Sequence, residues 1–222
     1  MSKPVTIAVE GSGTVSGLFD RGAEARACLV IAHGAGAGMT HPFMAMVARG
    51  LAEAGIATLR FNFPYMEAKS RRPDRPPVAV ATVRAAVAEA ARLAPDLPLF
   101  AGGKSFGGRM TSTAQAEAPL AAVRGLVFFG FPLHPPGKPS DDRAAHLAGV
   151  AVPMLFLQGT RDTFAGLDLL EPLCRRLGGR ATLHLFEDGD HSFHVRKASG
   201  RTDADVLGEM IATVAAWIDG LL

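Results

Sequence analysis

From about Ala27 to the C-terminus, short apolar runs of strand length alternate with longer stretches of helical period, and that alternation leaves few architectures open. A parallel partner strand is reached only through a crossover long enough to hold a helix. Strands joined by helices therefore predict a mostly parallel sheet with helices on both faces. The strands read at Cys28 to Ala32, Ala57 to Phe61, Leu99 to Gly102, Gly125 to Phe129, Met154 to Gly159 and Thr182 to Phe186. Ahead of them, Thr6 to Glu10 and Val15 to Phe19 flank Gly11-Ser12-Gly13 and read as an antiparallel hairpin at one edge. Pro42 suits a first helical turn, Met44, Val47 and Leu51 form an apolar stripe, and Gly55 ends it. Val80, Val83 and Val87 form another stripe before Pro95. The last helix runs from about Asp203, with Val206, Met210, Val214, Trp217 and Leu221 spaced to pack on the sheet. The expected fold class is α/β, in a single domain over residues 1–222.

Within that frame, Gly103-Lys104-Ser105-Phe106-Gly107 directly follows the apolar run Leu97 to Gly102 and precedes a helical stretch, Arg109 to Glu117. A G-x-S-x-G sequence at a tight strand-to-helix turn presents the serine above the end of a sheet, and only very small residues fit two positions to either side. Ser105 is the candidate nucleophile. Two phosphate-binding readings fail. A Walker loop needs glycine where Pro98 stands, and proline has neither the N–H nor the free φ of that position. A dinucleotide fingerprint starting at Gly34 needs glycine where Met39 stands.

Composition excludes several partner classes. Lys and Arg number 23 against 21 Asp and Glu, a net charge of +2 without the basic block that nucleic-acid binding requires. The densest basic cluster, Lys69, Arg71, Arg72 and Arg75, is diluted by Glu67 and Asp74 and reads as a solvated proline-rich loop. The N-terminal stretch has no long apolar segment of a signal peptide, and no later run has the length of a membrane span. Two cysteines make no disulfide framework, so Cys28 and Cys174 are expected as buried thiols in a cytoplasmic protein. Neither a cofactor nor a metal is expected. The sequence is compatible with a monomer or a homodimer.

Ligands of open parallel sheets gather on loops at the carboxyl ends of strands. After Met154 to Gly159 come Thr160-Arg161-Asp162, and after Thr182 to Phe186 comes Glu187-Asp188-Gly189-Asp190-His191-Ser192-Phe193. The chain order is Ser105, Asp162, His191. A serine hydroxyl needs a neutral imidazole to take its proton, the role given to His191, and a carboxylate to hold that imidazole's tautomer, the role given to Asp162. His194 is the competing base. Asp168, Asp188 and Asp190 compete for the acid and are read instead as a helix-start residue and loop carboxylates. An oxyanion hole needs two N–H groups, assigned to Phe106 and to Ala35 in the loop His33-Gly34-Ala35-Gly36-Ala37-Gly38. Gly34 and Gly36 remain alternatives for the second donor. His33 is expected to order that loop.

Together, His33-Gly34-Ala35-Gly36, Gly103 to Arg109, Gln158-Gly159-Thr160-Arg161-Asp162 and Gly189-Asp190-His191-Ser192-Phe193 resemble the α/β-hydrolase superfamily over nearly the whole chain. Arg60-Phe61-Asn62-Phe63-Pro64-Tyr65 and Gly130-Phe131-Pro132-Leu133-His134-Pro135-Pro136-Gly137 are similar to a small dienelactone-hydrolase-like branch. That branch also includes the non-specific-lethal complex subunit 3 family. The resemblance implies the α/β-hydrolase fold and a Ser-Asp-His site. True dienelactone hydrolases carry a cysteine nucleophile where this chain has Ser105, which argues against a specific dienelactone activity.

The expected chemistry is cleavage of a small-molecule carboxylic ester, short to medium in its acyl part, through an acyl-enzyme. A thioesterase or perhydrolase on the same site, or a non-catalytic protein-interaction scaffold, are the alternatives. Because Phe131 to Asp142 reads as a stiff proline-rich loop, no large cap domain is expected and the site should be an open crevice. His134 and Tyr65 are expected to contact substrate, with Phe131 and Phe63 either beside them or in the core. Lys104 has two readings, attraction of an anionic substrate or anchoring of a neighbouring loop.

Overall fold

A computed structural model describes residues 2–222. Its sheet has eight strands in the order β1-β2-β4-β3-β5-β6-β7-β8. These are β1 (Lys3–Val9), β2 (Gly13–Asp20), β3 (Ala27–Ala32), β4 (Ile56–Phe61), β5 (Leu99–Lys104), β6 (Val123–Phe129), β7 (Met154–Gly159) and β8 (Ala181–Phe186). The hairpin β1–β2 is antiparallel and meets β4 antiparallel, while all pairs from β4 to β8 are parallel. β3, β4 and β7 are buried along their whole length, as strands of a parallel sheet covered on both faces must be, and the polar side chains they carry, Thr58 and Arg60 of β4 and Gln158 of β7, are buried with them.

Among the described residues, six α-helices complete the fold: α1 (Pro42–Glu53), α2 (Pro64–Glu67), α3 (Pro76–Leu93), α4 (Phe106–Glu117), α5 (Leu167–Leu177) and α6 (Asp203–Asp219). The sheet separates two apolar layers. On one side Met44, Val47 and Leu51 of α1 and Val206, Met210, Val214 and Ile218 of α6 pack against Leu29, Ile31, Phe100 and Val127. On the other, α3, α4 and α5 cover Val30, Leu59, Ala101, Phe128 and Phe156. A capping box between Thr202 and Asp205 starts α6. Ile218, rather than Trp217, is the innermost residue at the end of that helix. Trp217 is half-buried against Phe100, at 6.0 Å between ring centroids, over Gly125, where a Cβ would lie 2.7 Å from its ring. Both cysteines are buried and unpaired.

The expected strands are all present, with β5 running two residues further and α4 starting three residues earlier than the sequence reading. Gly107 and Gly108 look like turn residues in sequence but belong to the first turn of α4, where packing against Ala32 and Gly103 leaves no room for side chains. Between β6 and β7 the chain forms only the loop 130–141 and a 3-10 helix, Asp142–Gly149, which rests against α4. The carboxyl end of the sheet therefore has no helical domain above it among the described residues.

Candidate active site

β5 runs straight into Ser105, and α4 begins at the next residue. Ser105 has φ 50° and ψ −112°, a conformation that costs a non-glycine residue roughly 1–3 kcal/mol. The neighbours enforce it. A Cβ on either Gly103 or Gly107 would come within 2.4 Å of the Ala32 carbonyl oxygen, and one on Gly108 within 2.7 Å of the Gly103 oxygen. The atoms a Cβ would meet belong to the backbone, so nothing flexible can yield.

Loops after β7 and β8 bring the partners. His191 Nε2 lies 2.9 Å from Ser105 Oγ, and its Nδ1 lies 2.6 Å from Asp162 Oδ2. An ionised carboxylate only accepts, so the proton belongs on Nδ1 and leaves Nε2 as the acceptor for the serine hydroxyl. Asp162 is buried and held from two further directions. Gln158 Nε2 donates to Oδ2 at 2.5 Å, and the Phe164 N–H donates to Oδ1 at 2.8 Å. Gln158, fully buried in β7, is fixed in turn because its Oε1 accepts from the Phe131 N–H at 3.0 Å. The Phe164 ring covers the imidazole at 4.3 Å between centroids. In the sequence Gln158 stands only as the first residue of the run ending at Asp162, with no role of its own, and Phe164 carries no signal. The available signal for Gln158 was an amide at the end of an otherwise apolar strand, two residues before a site loop.

The rival residues are otherwise engaged. His194 is exposed, and its Nδ1 pairs with Asp203 at 2.7 Å, which raises its pKa. Asp188 pairs with Arg196, whose hydrogen bonds hold its carboxyl below the usual range. Asp190 accepts from the N–H groups of Ser192 and His194 and so shapes the turn that presents His191. Asp168 lies in the first turn of α5, where an acid suits the helix N-terminus.

On the opposite side of Ser105, the loop after β3 is ordered by His33. Its Nδ1 donates to the Gly34 carbonyl at 2.8 Å, and its Nε2 accepts from the Phe63 N–H at 3.1 Å. That arrangement requires the neutral ring, and burial lowers the His33 pKa accordingly. Gly36 N–H is taken by Tyr65 Oη at 3.0 Å. This removes Gly36 from the alternatives for an oxyanion donor. Among the described residues, the N–H groups of Gly34, Ala35 and Phe106 have no protein acceptor, so Gly34 stays beside Ala35 as a candidate second donor, and Phe106, first in α4, has none within its helix.

Two expectations need correction. Tyr65 is buried with its hydroxyl spent on the loop after β3, and His134 is buried with Nδ1 donating to the Pro135 carbonyl at 2.9 Å. Neither lines the crevice beside Ser105. Both brace loops: the His134 N–H also donates to the Phe164 carbonyl, and so supports the segment that carries Asp162. Phe63 and Phe131 are fully buried core residues.

Lys104, next to Ser105, reaches the loop that carries His191. Its Nζ donates to the His191 carbonyl and lies over the faces of Phe193 and Phe43, 5.2 and 6.0 Å from their centroids. It passes Gly130, where a Cβ would lie 2.9 Å from Nζ. This geometry matches the loop-anchoring reading. Burial pushes the ammonium down to about 8, against the weaker pull of Asp162 and Asp190.

Ser105 and His191 open into a crevice of about 720 Å³, lined by the loop after β3, the starts of α1 and α6, Phe164 and Phe193. A model of the alpha/beta hydrolase domain matches residues 25–219. The chain therefore belongs to the α/β-hydrolase family. Solved structures share its fold at low sequence identity. A lidless α/β serine hydrolase from Xanthomonas campestris is 22% identical with a TM-score of 0.74, over 97% of this chain and 94% of that one. A dienelactone hydrolase from Anabaena variabilis is 20% identical with a TM-score of 0.78, over 100% and 98% of the two chains. A cold-adapted esterase from an Arctic intertidal metagenomic library is 20% identical with a TM-score of 0.69, over 100% and 94%.

Proposed function

We propose that the protein is a serine hydrolase that cleaves carboxylic esters of short to medium acyl chain through an acyl-enzyme. The observation that carries this reading is the unbroken hydrogen-bond chain from Asp162 through His191 to Ser105, with Ser105 in a strained turn. Ser105 Oγ attacks the ester carbonyl carbon while its proton passes to His191 Nε2. Negative charge on the carbonyl oxygen is met by the N–H groups of Phe106 and Ala35, which have no other acceptor to give up. Collapse of the tetrahedral intermediate breaks the carbon–oxygen bond, and the departing alkoxide takes the proton from His191. Water then attacks the acyl-enzyme by the same route, returning the proton to Ser105. Asp162 stays ionised throughout and stabilises the transient imidazolium.

The test is reaction with a fluorophosphonate probe, followed by peptide mapping and hydrolysis of p-nitrophenyl esters. Stoichiometric labelling at Ser105, with labelling and turnover both lost in Ser105→Ala, is the expected result. Folded protein that neither labels nor turns over would refute it and favour a scaffold role.

A further inference from the structure

The crevice is more than an open patch beside the serine. It is built by two helices that start next to the site, and both present apolar side chains into it. α1 contributes residues from Pro42 to Arg49 and α6 from Asp203 to Met210, in each case seven residues along the helix, or about 10 Å. Near Ser105 the floor is the stacked pair Phe43 and Phe193, 6.0 Å apart and 8° from parallel. Met46, Leu207 and Met210 also line the crevice, Met46 exposed and Met210 buried. Thioether side chains adapt to flexible aliphatic ligands. The charges at its margins are engaged elsewhere at two of three positions: Lys104 with the His191 carbonyl, and Asp203 with His194 and the Val195 N–H. Arg49 is exposed.

We infer that the crevice between α1 and α6 binds a flexible aliphatic arm of the substrate, of medium length, extending from the ester group held at Ser105. This rests on the hydrolase reading and narrows it. The upper limit on length follows from exposure. Met46 is 40% exposed at the outer wall and Ala204 is exposed on α6, so carbons beyond about 10 Å return to water and gain nothing. Acetyl esters leave the walls unfilled. Each methylene that is fully buried raises kcat/KM by about fourfold.

Two measurements test this. The first compares p-nitrophenyl acetate, butyrate, hexanoate, octanoate and palmitate, and in parallel acetates of alcohols of rising length. In one series kcat/KM should climb to a medium-chain maximum and then fall. Ala204→Trp and Leu207→Trp, each checked by circular dichroism and thermal unfolding, should lower the octanoate-to-acetate ratio, or the matching alcohol ratio, at least about tenfold by filling the space of several methylenes. Profiles that are flat or greatest at the shortest chain in both series, or ratios that the tryptophans leave unchanged, overturn the inference. The second uses Ser105→Ala labelled with ¹³C at the methionine methyls and titrated with 2-decanone, which cannot be hydrolysed. Saturable shifts of Met46 and Met210 support the arm site, even if no ester is cleaved and the hydrolase reading falls. Silent methionine signals overturn the arm site even if short esters are cleaved at Ser105.

Discussion

Lys104→Met would isolate a charge placed one residue from the candidate nucleophile. Methionine keeps most of the length and the apolar stem, so Phe43 and Phe193 retain a neighbour while the His191 carbonyl loses its donor. Burial lowers this lysine from its ordinary 10.5 to about 8. In the unfolded chain the group titrates near the ordinary value, so between those limits the unfolded chain holds a proton that the folded protein has released. Stability therefore rises with pH across that window. Below it both states are charged, and the full cost of burying the ammonium is present. A shift of this size corresponds to about 3 kcal/mol at about 1.4 kcal/mol per pH unit. Other titrating groups are common to both proteins and cancel in the comparison. Urea unfolding at about pH 7 and about pH 10 should show the wild type gaining on Lys104→Met by about 2–3 kcal/mol. A stability difference that does not move with pH would refute the placement of a desolvated ammonium against the His191 loop.

The two histidines of that loop should behave differently: His191→Ala should reduce kcat on a p-nitrophenyl ester by about a thousandfold or more, while His194→Ala, exposed and paired with Asp203, retains most of its activity. Equal losses would contradict the assignment of the base. Glycine replacements give a second contrast, read by thermal unfolding. Gly107→Ala puts a Cβ 2.4 Å from the Ala32 oxygen and should destabilise by about 3 kcal/mol or more, whereas Gly208→Ala, with nothing within 4 Å on α6, should stabilise by up to about 1 kcal/mol.

Much of this fold was legible because its signals are local. Apolar runs such as Met154 to Gly159 are strands by length and composition, and glycines flanking Ser105 announce a turn that admits no side chain. The order Ser105, Asp162, His191 could be read because parallel topology puts every such loop at one end of the sheet. What escaped was set by contacts between loops distant in sequence. Tyr65 and His134 lie in segments that do border the site, but their orientation depends on which backbone groups need partners. Gly36 N–H claims the tyrosine hydroxyl, and the Pro135 carbonyl claims the imidazole, so both side chains turn inward.

The crevice was hidden for a different reason. Met44, Val206 and Met210 belong to apolar stripes that continue down α1 and α6 onto the sheet, and periodicity treats every residue of a stripe as core. The helices, however, begin beyond the carboxyl ends of the strands, where the sheet no longer lies beneath them. From Met44 on α1 and Val206 on α6 onward the stripes pack with Leu29, Ile31 and Phe100 and close the core. Near their starts, Phe43, Met44 and Met46 of α1 and Val206, Leu207 and Met210 of α6 also line the crevice beside Ser105, so the same apolar pattern forms the wall of a binding space. Whether a methionine on such a stripe packs the core or faces a ligand is thus decided by where the strands stop. That boundary is fixed by the register between β3, β5 and β6, which no single segment of sequence carries.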